Sequence, residues 1–167
     1  MKVKKITRIA ILSSLALIIF VLESLIPPVV PVAGVKIGLA NTVVLFTMAT
    51  SGVVPALFVM LVKVFLGNLF TGTAVSLIYS LLGSGLCFCA QWLALAMLGS
   101  EKLWAVSVIG AIFHNIGQVM AAAVLTGTDK IIWYVVILIP VGIITGAFTG
   151  IAATYTLKAT KKLDLKE

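Results

Sequence analysis

Long apolar runs fill most of the chain, and short breaks of Gly, Pro or charged residues separate them. A helix that crosses a bilayer needs about 20 mostly apolar residues, and most of these runs approach that length. We therefore predict an all-α integral membrane protein, with one domain over residues 1–167 that forms a compact bundle of six transmembrane helices. The predicted bounds are about Ile9–Ile26, Ile37–Thr50, Val53–Phe70, Thr73–Leu98, Leu103–Leu125 and Ile131–Leu157.

The connection between the first two predicted helices is rich in proline. It reads PPVVPVAGVK over Pro27–Lys36, and proline in a helix interior removes a hydrogen bond and clashes with the preceding turn. The second predicted helix follows directly and is short for a full crossing. A re-entrant second helix, and another even number of crossings, is the alternative to six spans.

The composition excludes a water-soluble globule. Hydrophobic residues make up 62% of the 167 residues, charged residues only 10%, and the mean hydropathy is +1.25. Soluble domains carry roughly 25% charged residues. With so little polar surface, the solvent around this chain must be lipid.

Basic residues are concentrated at the two ends of the chain. The net charge is +7, and nine of the 12 Lys and Arg residues lie at the termini or at Lys102, whereas the opposite connections hold only Lys36 and Lys130. Cytoplasmic segments carry the excess of Lys and Arg in membrane proteins. We therefore predict a cell-membrane protein with both termini cytoplasmic. The charge indicates topology and contact with anionic membrane lipid, and not a nucleic-acid surface.

Common catalytic motifs are missing from the sequence. It has no phosphate-binding P-loop, and its two aspartates, Asp129 and Asp164, have no acidic neighbour that would complete a magnesium site for diphosphate. His114 is the only histidine, and Cys87 and Cys89 fit small buried hydrophobes. We predict no catalytic residues, no metal, no cofactor and no enzyme activity.

Several polar residues interrupt the apolar runs. Ionisable groups are costly inside a membrane and usually face a bundle interior or a watery cavity. Most of them fall in the predicted outer halves of the helices, which indicates a ligand cavity open to the outside. Phe65, Phe70, Phe113 and Tyr79 are expected to form its apolar wall. The predicted substrate-binding residues are Lys63, Asn68, Tyr79, His114, Asn115, Gln118, Lys36, Asn41 and Glu23.

Structural roles remain open for the same side chains. Lys63 fits an ion pair with Glu23 or a side chain that snorkels outward, and Glu23 near the interface also fits a merely water-exposed position. Asn68 fits a helix cap or a hydrogen bond between helices. His114 and Gln118 are four residues apart and share a helix face, so interhelical hydrogen bonding also explains them.

Small residues recur at four-residue spacing in two helices. Ala10 and Ser14 form such a pair in the first helix, and Gly142, Gly146 and Gly150 form a stripe in the sixth. Small residues at this spacing let helices approach closely. For the glycine stripe we predict packing within the bundle. For Ala10 and Ser14, a docking surface for a partner subunit and internal packing both remain open.

Three stretches together resemble a known family. They are KIGLANTVVL at Lys36–Leu45, LVKVFLGNLFTGT at Leu61–Thr73 and GAIFHNIGQ at Gly110–Gln118. They resemble the Gx transporter family, which is also labelled heptaprenyl diphosphate synthase component I. The length, the six spans and the basic ends are also similar to the S components of energy-coupling factor (ECF) transporters.

The resemblance implies two different functions. Similarity to S components implies a subunit that binds a small vitamin-like or quinone-precursor-like molecule and docks on a transmembrane coupling subunit with ATPase subunits. Ala10 and Ser14 stand where such a docking motif would lie. The synthase label implies instead a non-catalytic accessory subunit of polyprenyl diphosphate or quinone synthesis. An unrelated channel or scaffold is the third alternative.

Overall fold

The computed structural model describes residues 2–26, 38–71 and 74–164. This part of the chain contains six α-helices and two short 3-10 helices, at Ser100–Lys102 and Asp129–Trp133. The α-helices are α1 (Lys2–Ser24), α2 (Asn41–Ser51), α3 (Val53–Thr71), α4 (Ala74–Leu98), α5 (Leu103–Thr126) and α6 (Tyr134–Asp164). The all-α prediction is confirmed for these residues.

Five of the six helices, all except α2, are long and apolar enough to cross a membrane. Two of them, α1 and α6, differ from their predicted bounds by more than one residue. The basic N-terminal residues are themselves helical, so α1 begins at Lys2, and α6 continues past Leu157 to Asp164. The apolar runs alone predicted a start of α1 and an end of α6 that are too close to the middle of each helix. A membrane helix can continue into the polar interface beyond its apolar run.

The second helix is shorter than the sequence pattern predicted. Gly38 has a positive φ of 88°, and the N–H of Asn41 donates to the carbonyl of Gly38 at 3.0 Å, which closes a turn instead of a helix. The 11 residues of α2 therefore extend only about 16 Å, against about 30 Å of hydrocarbon. Residues 27–37, including the Pro-rich connection, lie outside the described residues, and a sixth crossing stays a prediction.

Helix α2 lies inside the bundle and not at its edge. It contacts α1, α3, α4 and α6, and six of its 11 residues are buried, among them Val43, Val44 and Leu45. Around it, α1 packs mainly on α3, while α5 packs most extensively on α4 and α6. The start of α2 is thereby held close to the interior faces of several long helices.

Glycines allow the closest of these helix contacts. A Cβ atom at Gly117 of α5 would lie 2.7 Å from the carbonyl oxygen of Leu82 in α4. Cβ atoms at Gly146 and Gly150 of α6 would lie 2.7 Å from the Cα of Val108 and 2.5 Å from the Cα of Trp104. The glycine stripe of α6 therefore packs against α5, and its predicted role within the bundle is confirmed.

The outer surface of the bundle is apolar on every long helix. Large exposed side chains include Ile11, Ile18, Phe58, Trp92, Met120 and Phe148. In water such a large exposed apolar surface would promote aggregation, whereas in a bilayer it faces hydrocarbon. The apolar exterior and the buried polar groups described next fit a multi-pass membrane protein.

Candidate ligand-binding site

A small polar cavity lies among α1, α3, α4, α5 and the turn before α2. It leaves about 10 Å³ for the centre of a water-sized sphere, which is room for about one water molecule. Four of the predicted site residues line it, so sequence positions nearly 100 residues apart converge. The lining residues are Phe20, Glu23, Gly38, Lys63, Ser80, Ser84, His114 and Gln118.

Lys63 of α3 is the most unusual member of this group. It is only 1% exposed, and its Nζ donates a hydrogen bond to the side-chain Oδ1 of Asn41 at the start of α2. An ammonium group buried this deeply is costly unless anions or hydrogen-bond acceptors compensate it. The polarity of the neighbouring Asn41 is therefore part of what keeps the lysine inside.

Asn41 also contacts the imidazole of α5. Its Nδ2 lies 3.1 Å from Nδ1 of His114, so one amide connects Lys63 with the only histidine of the chain. The turn at Gly38 fits closely over the same ring, because a Cβ there would lie 2.7 Å from Cδ2 of His114. On the other side, a Cβ at Gly83 of α4 would lie 3.0 Å from Cε1 of the ring. His114 is thus held between two glycines.

Glu23 ties the end of α1 to the same turn. Its carboxylate is buried, and Oε1 accepts a hydrogen bond from the backbone N–H of Gly38. Glu23 and Lys63 line the same cavity, so an acidic and a basic side chain share one small polar volume. The turn at Gly38 therefore contacts both the carboxylate of Glu23 and the ring of His114.

Two predicted site residues, Asn68 and Asn115, are buried away from the described lining of this cavity. Asn68 donates to the carbonyl of Val64 at 2.7 Å and accepts from the hydroxyl of Ser76 at 2.7 Å, which joins α3 to α4. Asn115 donates to the carbonyl of Leu138 at 2.7 Å, which joins α5 to α6. These two amides make interhelical hydrogen bonds, the structural alternative that the sequence had left open for Asn68.

The remaining predictions for the site concern the expected apolar wall and Lys36. Tyr79 is buried, but it packs with Ala121 and Ala122. Its expected partners in an apolar wall, Phe65, Phe70 and Phe113, are 52%, 70% and 43% exposed, so they face outward and that prediction was wrong. The prediction considered only the depth of each ring in the membrane. Residues at the same depth can lie on opposite faces of a helix, so depth does not say whether a ring points inward or outward. Lys36 lies outside the described residues.

Sequence reasoning missed the serines of the cavity. Ser80 and Ser84 of α4 are buried and line it, and Ser76 continues the same face one turn earlier. Their four-residue spacing is a usable signal, because residues at i and i+4 share a helix face. Within the described residues, no group of three or more His, Cys, Asp or Glu side chains lies close enough to hold a metal ion.

The predicted docking residues lie on a different surface. Ala10 and Ser14 of α1 are both exposed, and the hydroxyl of Ser14 donates to the carbonyl of Ala10 at 3.0 Å. The hydroxyl is therefore satisfied within its own helix, so the surface that this pair presents stays small and apolar.

A family model covers most of the chain. The model for heptaprenyl diphosphate synthase component I matches residues 12–156. No curated protein and no solved structure matches the chain.

Proposed function

We propose a non-catalytic membrane role for this chain, which belongs to the heptaprenyl diphosphate synthase component I family. In this role it is the substrate-binding subunit of an ECF-type, energy-coupled uptake transporter. Its substrate would be a small organic molecule with an anionic or acceptor-rich group. The observation that carries this proposal is the buried cavity shared by Glu23, Lys63, His114 and Gln118.

The cost of burying these groups is the physical argument. A lysine or glutamate in the interior of a membrane bundle lowers stability unless it is fully compensated, and such residues usually mark substrate pathways. A stable scaffold would need only apolar packing at the same positions. Here four such groups, from three helices, converge on one volume beside the turn at Gly38.

The ligand chemistry follows from the donors in the site. Lys63 supplies positive charge, and His114 and Gln118 are one helical turn apart on α5 and supply hydrogen bonds. Only one carboxylate, Glu23, opposes an anion. Electrostatic attraction is stronger at low dielectric than in water. The ammonium of Lys63 would therefore bind an anionic group firmly once that group entered the cavity.

Binding requires the site to open. Ligand pockets for small organic molecules usually enclose about 300–1,000 Å³, whereas this cavity admits about one water. We propose that the site opens by movement of the turn at Gly38, which lines the cavity and contacts both Glu23 and His114. Its displacement would uncover Lys63 from the side of α2.

Mass spectrometry tests the proposal. Small molecules co-purified with the detergent-solubilised full chain are identified and then added back in a thermal-shift assay. We expect one anionic or acceptor-rich compound to raise the melting temperature of the wild type, and Lys63→Met and Gln118→Ala to abolish that rise. Wild-type affinity in both variants would place the pocket elsewhere.

The family description favours a second candidate function, an accessory subunit of prenyl diphosphate synthesis. Here the chain would bind a soluble catalytic partner and alter its activity or product length. The assay measures elongation of an allylic primer by isopentenyl diphosphate with magnesium, with and without this chain. A change in product length or rate that depends on the chain supports this candidate, whereas elongation by the chain alone would contradict both proposals.

A further inference from the structure

A second cavity lies on the other side of Asn41, between α4, α5 and α6. It also leaves about 10 Å³ for the centre of a water-sized sphere, and its polar lining includes Gln91, Ser107, Thr145 and Thr149. None of these four residues lines the cavity that holds Lys63. The volume matches one small molecule the size of water.

Gln91 has a buried polar atom whose hydrogen bonding points to an occupant of this cavity. The residue is only 2% exposed, and its Oε1 has no hydrogen-bond partner among the described residues. A buried acceptor without a donor is costly, and nearly all such groups in native proteins find a protein or water partner. The side-chain carbonyl of Gln91 thus requires a donor that the described side chains do not supply.

Three hydroxyls of the cavity, those of Ser107, Thr145 and Thr149, already donate their protons elsewhere. Thr145 donates to the carbonyl of Val141 at 2.9 Å, and Thr149 donates to the carbonyl of Thr145 at 2.8 Å. Since each hydroxyl has one proton, Ser107 must be the donor in its 3.0 Å contact with Thr149. Each of these three hydroxyls therefore has only acceptor capacity left for the cavity.

A cation would also satisfy acceptors, but the charge nearby opposes one. Asn41 lines this cavity and accepts a hydrogen bond from the ammonium of Lys63, so a metal ion would lie close to a buried positive charge. The described residues that line the cavity carry no carboxylate to compensate it. A neutral donor fits both the charge and the size.

A glycine in α5 leaves the space that the side chain of Gln91 occupies. A Cβ at Gly110 would lie 2.5 Å from both Cγ and Nε2 of Gln91, so any larger residue there would displace the side chain. The glycine that opens the GAIFHNIGQ stretch therefore has a structural explanation in the placement of this amide.

We propose that this second cavity is a built site for one ordered water, which donates to Oε1 of Gln91 and to a hydroxyl among Ser107, Thr145 and Thr149. The site extends the polar interior from Asn41 toward α6. It shares Gly38 with the cavity of the proposed ligand site but none of that cavity's polar side chains, and the water site does not depend on the proposed function.

The sign of a stability change tests the site. Gln91→Met keeps the shape of the side chain and removes the acceptor. An unpartnered acceptor would cost stability, so its removal would leave the melting temperature unchanged or higher, whereas removal of a water-bonded acceptor lowers it. We expect a fall of about 2–4 °C for the detergent-solubilised full chain.

Ser13 supplies the matched control. Its Oγ is also buried without a hydrogen-bond partner among the described residues, but the residue lines neither cavity, so Ser13→Ala should not lower the melting temperature. An unchanged or raised value for Gln91→Met would overturn the proposal. So would a specific rise of the wild-type value with sodium over choline that Gln91→Met abolishes.

A measurement on the wild type tests the water site even if the Gln91→Met variant fails to fold. Nuclear magnetic resonance of glutamine-labelled protein should show transfer from a bound water to the Gln91 side chain, with Gln118 assigned separately as the only other glutamine. Absence of that transfer would contradict the water site.

Discussion

The side-chain amide of Asn41 bridges Lys63 and His114, with Oδ1 toward Nζ and Nδ2 3.1 Å from Nδ1 of the imidazole. An ammonium only donates hydrogen bonds, so the atom of Asn41 that faces Lys63 must be the oxygen. The amide nitrogen then faces His114, and Nδ1 of the ring must accept. Lys63 thereby determines the tautomer of a histidine with which it shares Asn41.

The first prediction concerns this tautomer. We expect His114 to be neutral, with its proton on Nε2, and Nδ1 to accept from Asn41. Because His114 is the only histidine of the chain, histidine-selective 15N labelling gives one pair of ring signals without assignment. A pyrrole-type Nε2 and a pyridine-type Nδ1 are the expected result. A proton on Nδ1 in the wild type would contradict the assigned amide orientation.

A variant of the amide provides the control for that experiment. Asn41→Leu removes the donor to Nδ1 but leaves the lysine and the histidine in place. The Nδ1 signal should then lose the shift that its hydrogen bond causes. The same change leaves Lys63 without its acceptor at Oδ1, so the free energy of unfolding should fall by about 1.5–3 kcal/mol, the usual value for hydrogen bonds to charged groups.

The second prediction is that both termini are cytoplasmic. In a background without Cys87 and Cys89, single cysteines replace exposed Lys4, Lys130 or Lys162. An impermeant thiol reagent should label Lys130→Cys in intact cells, and should label the two terminal positions only after permeabilisation. Rapid labelling at either terminus of intact cells would rule out the predicted topology.

Much of the fold was predictable because lipid leaves few choices. A run of about 20 apolar residues must satisfy its own backbone hydrogen bonds, so it becomes a helix. The start of α2 was not predictable in this way. Its turn depends on the positive φ of Gly38 and on Glu23, which accepts from the Gly38 N–H. Such long-range contacts leave no trace in local hydropathy.

The site was partly predictable for a similar reason. Lys63 and Glu23 are costly in an apolar helix, so their presence alone indicated an interior position. Asn115 gives the same sequence signal as Gln118, yet it bonds the backbone of α6 while Gln118 lines the cavity. A serine in an apolar helix does not by itself indicate a polar cavity, because its hydroxyl can bond a carbonyl of its own helix. Only tertiary packing separates these cases.

The third prediction tests the contact between α4 and α5. Gly117→Ala would place a Cβ 2.7 Å from the carbonyl oxygen of Leu82, and backbone atoms cannot rotate away. We expect overpacking to lower the free energy of unfolding by about 1–3 kcal/mol. Gly85→Ala is the matched control in α4, because its Cβ meets no atom within 4 Å, and it should be neutral or stabilising. Equal effects in thermal unfolding would contradict the close contact.

The fourth prediction concerns the exposed pair of α1. Ala10→Trp and Ser14→Trp place a large ring on a surface that makes little internal contact, so melting temperature and ligand binding should stay at wild-type values. If a coupling subunit docks there, co-purification with it and uptake should both fall. Leu15→Trp is the control, since Leu15 is exposed on a neighbouring face of α1. Loss of ligand binding in parallel would show that the pair packs internally.

The last prediction separates the structural role of Lys63 from its role in binding. Its bond to Asn41 and its place beside Glu23 imply that Lys63→Met lowers the stability of the ligand-free protein. The change leaves a buried carboxylate without its nearby positive charge, and such losses are typically about 3–5 kcal/mol. Adding Glu23→Gln removes that carboxylate, so the double variant should recover part of the loss.

Two measurements on the same variants then decide between the roles. Thermal unfolding without ligand gives the coupling energy between Lys63 and Glu23 from the double-mutant cycle. Thermal unfolding with the co-purified ligand gives the binding contribution, because a ligand raises the melting temperature only where it binds the folded state. We expect coupling without ligand and no ligand-induced rise in the double variant, even though its stability is partly restored. A normal rise in that variant would assign Lys63 a structural role alone, since its charge would then be dispensable for binding.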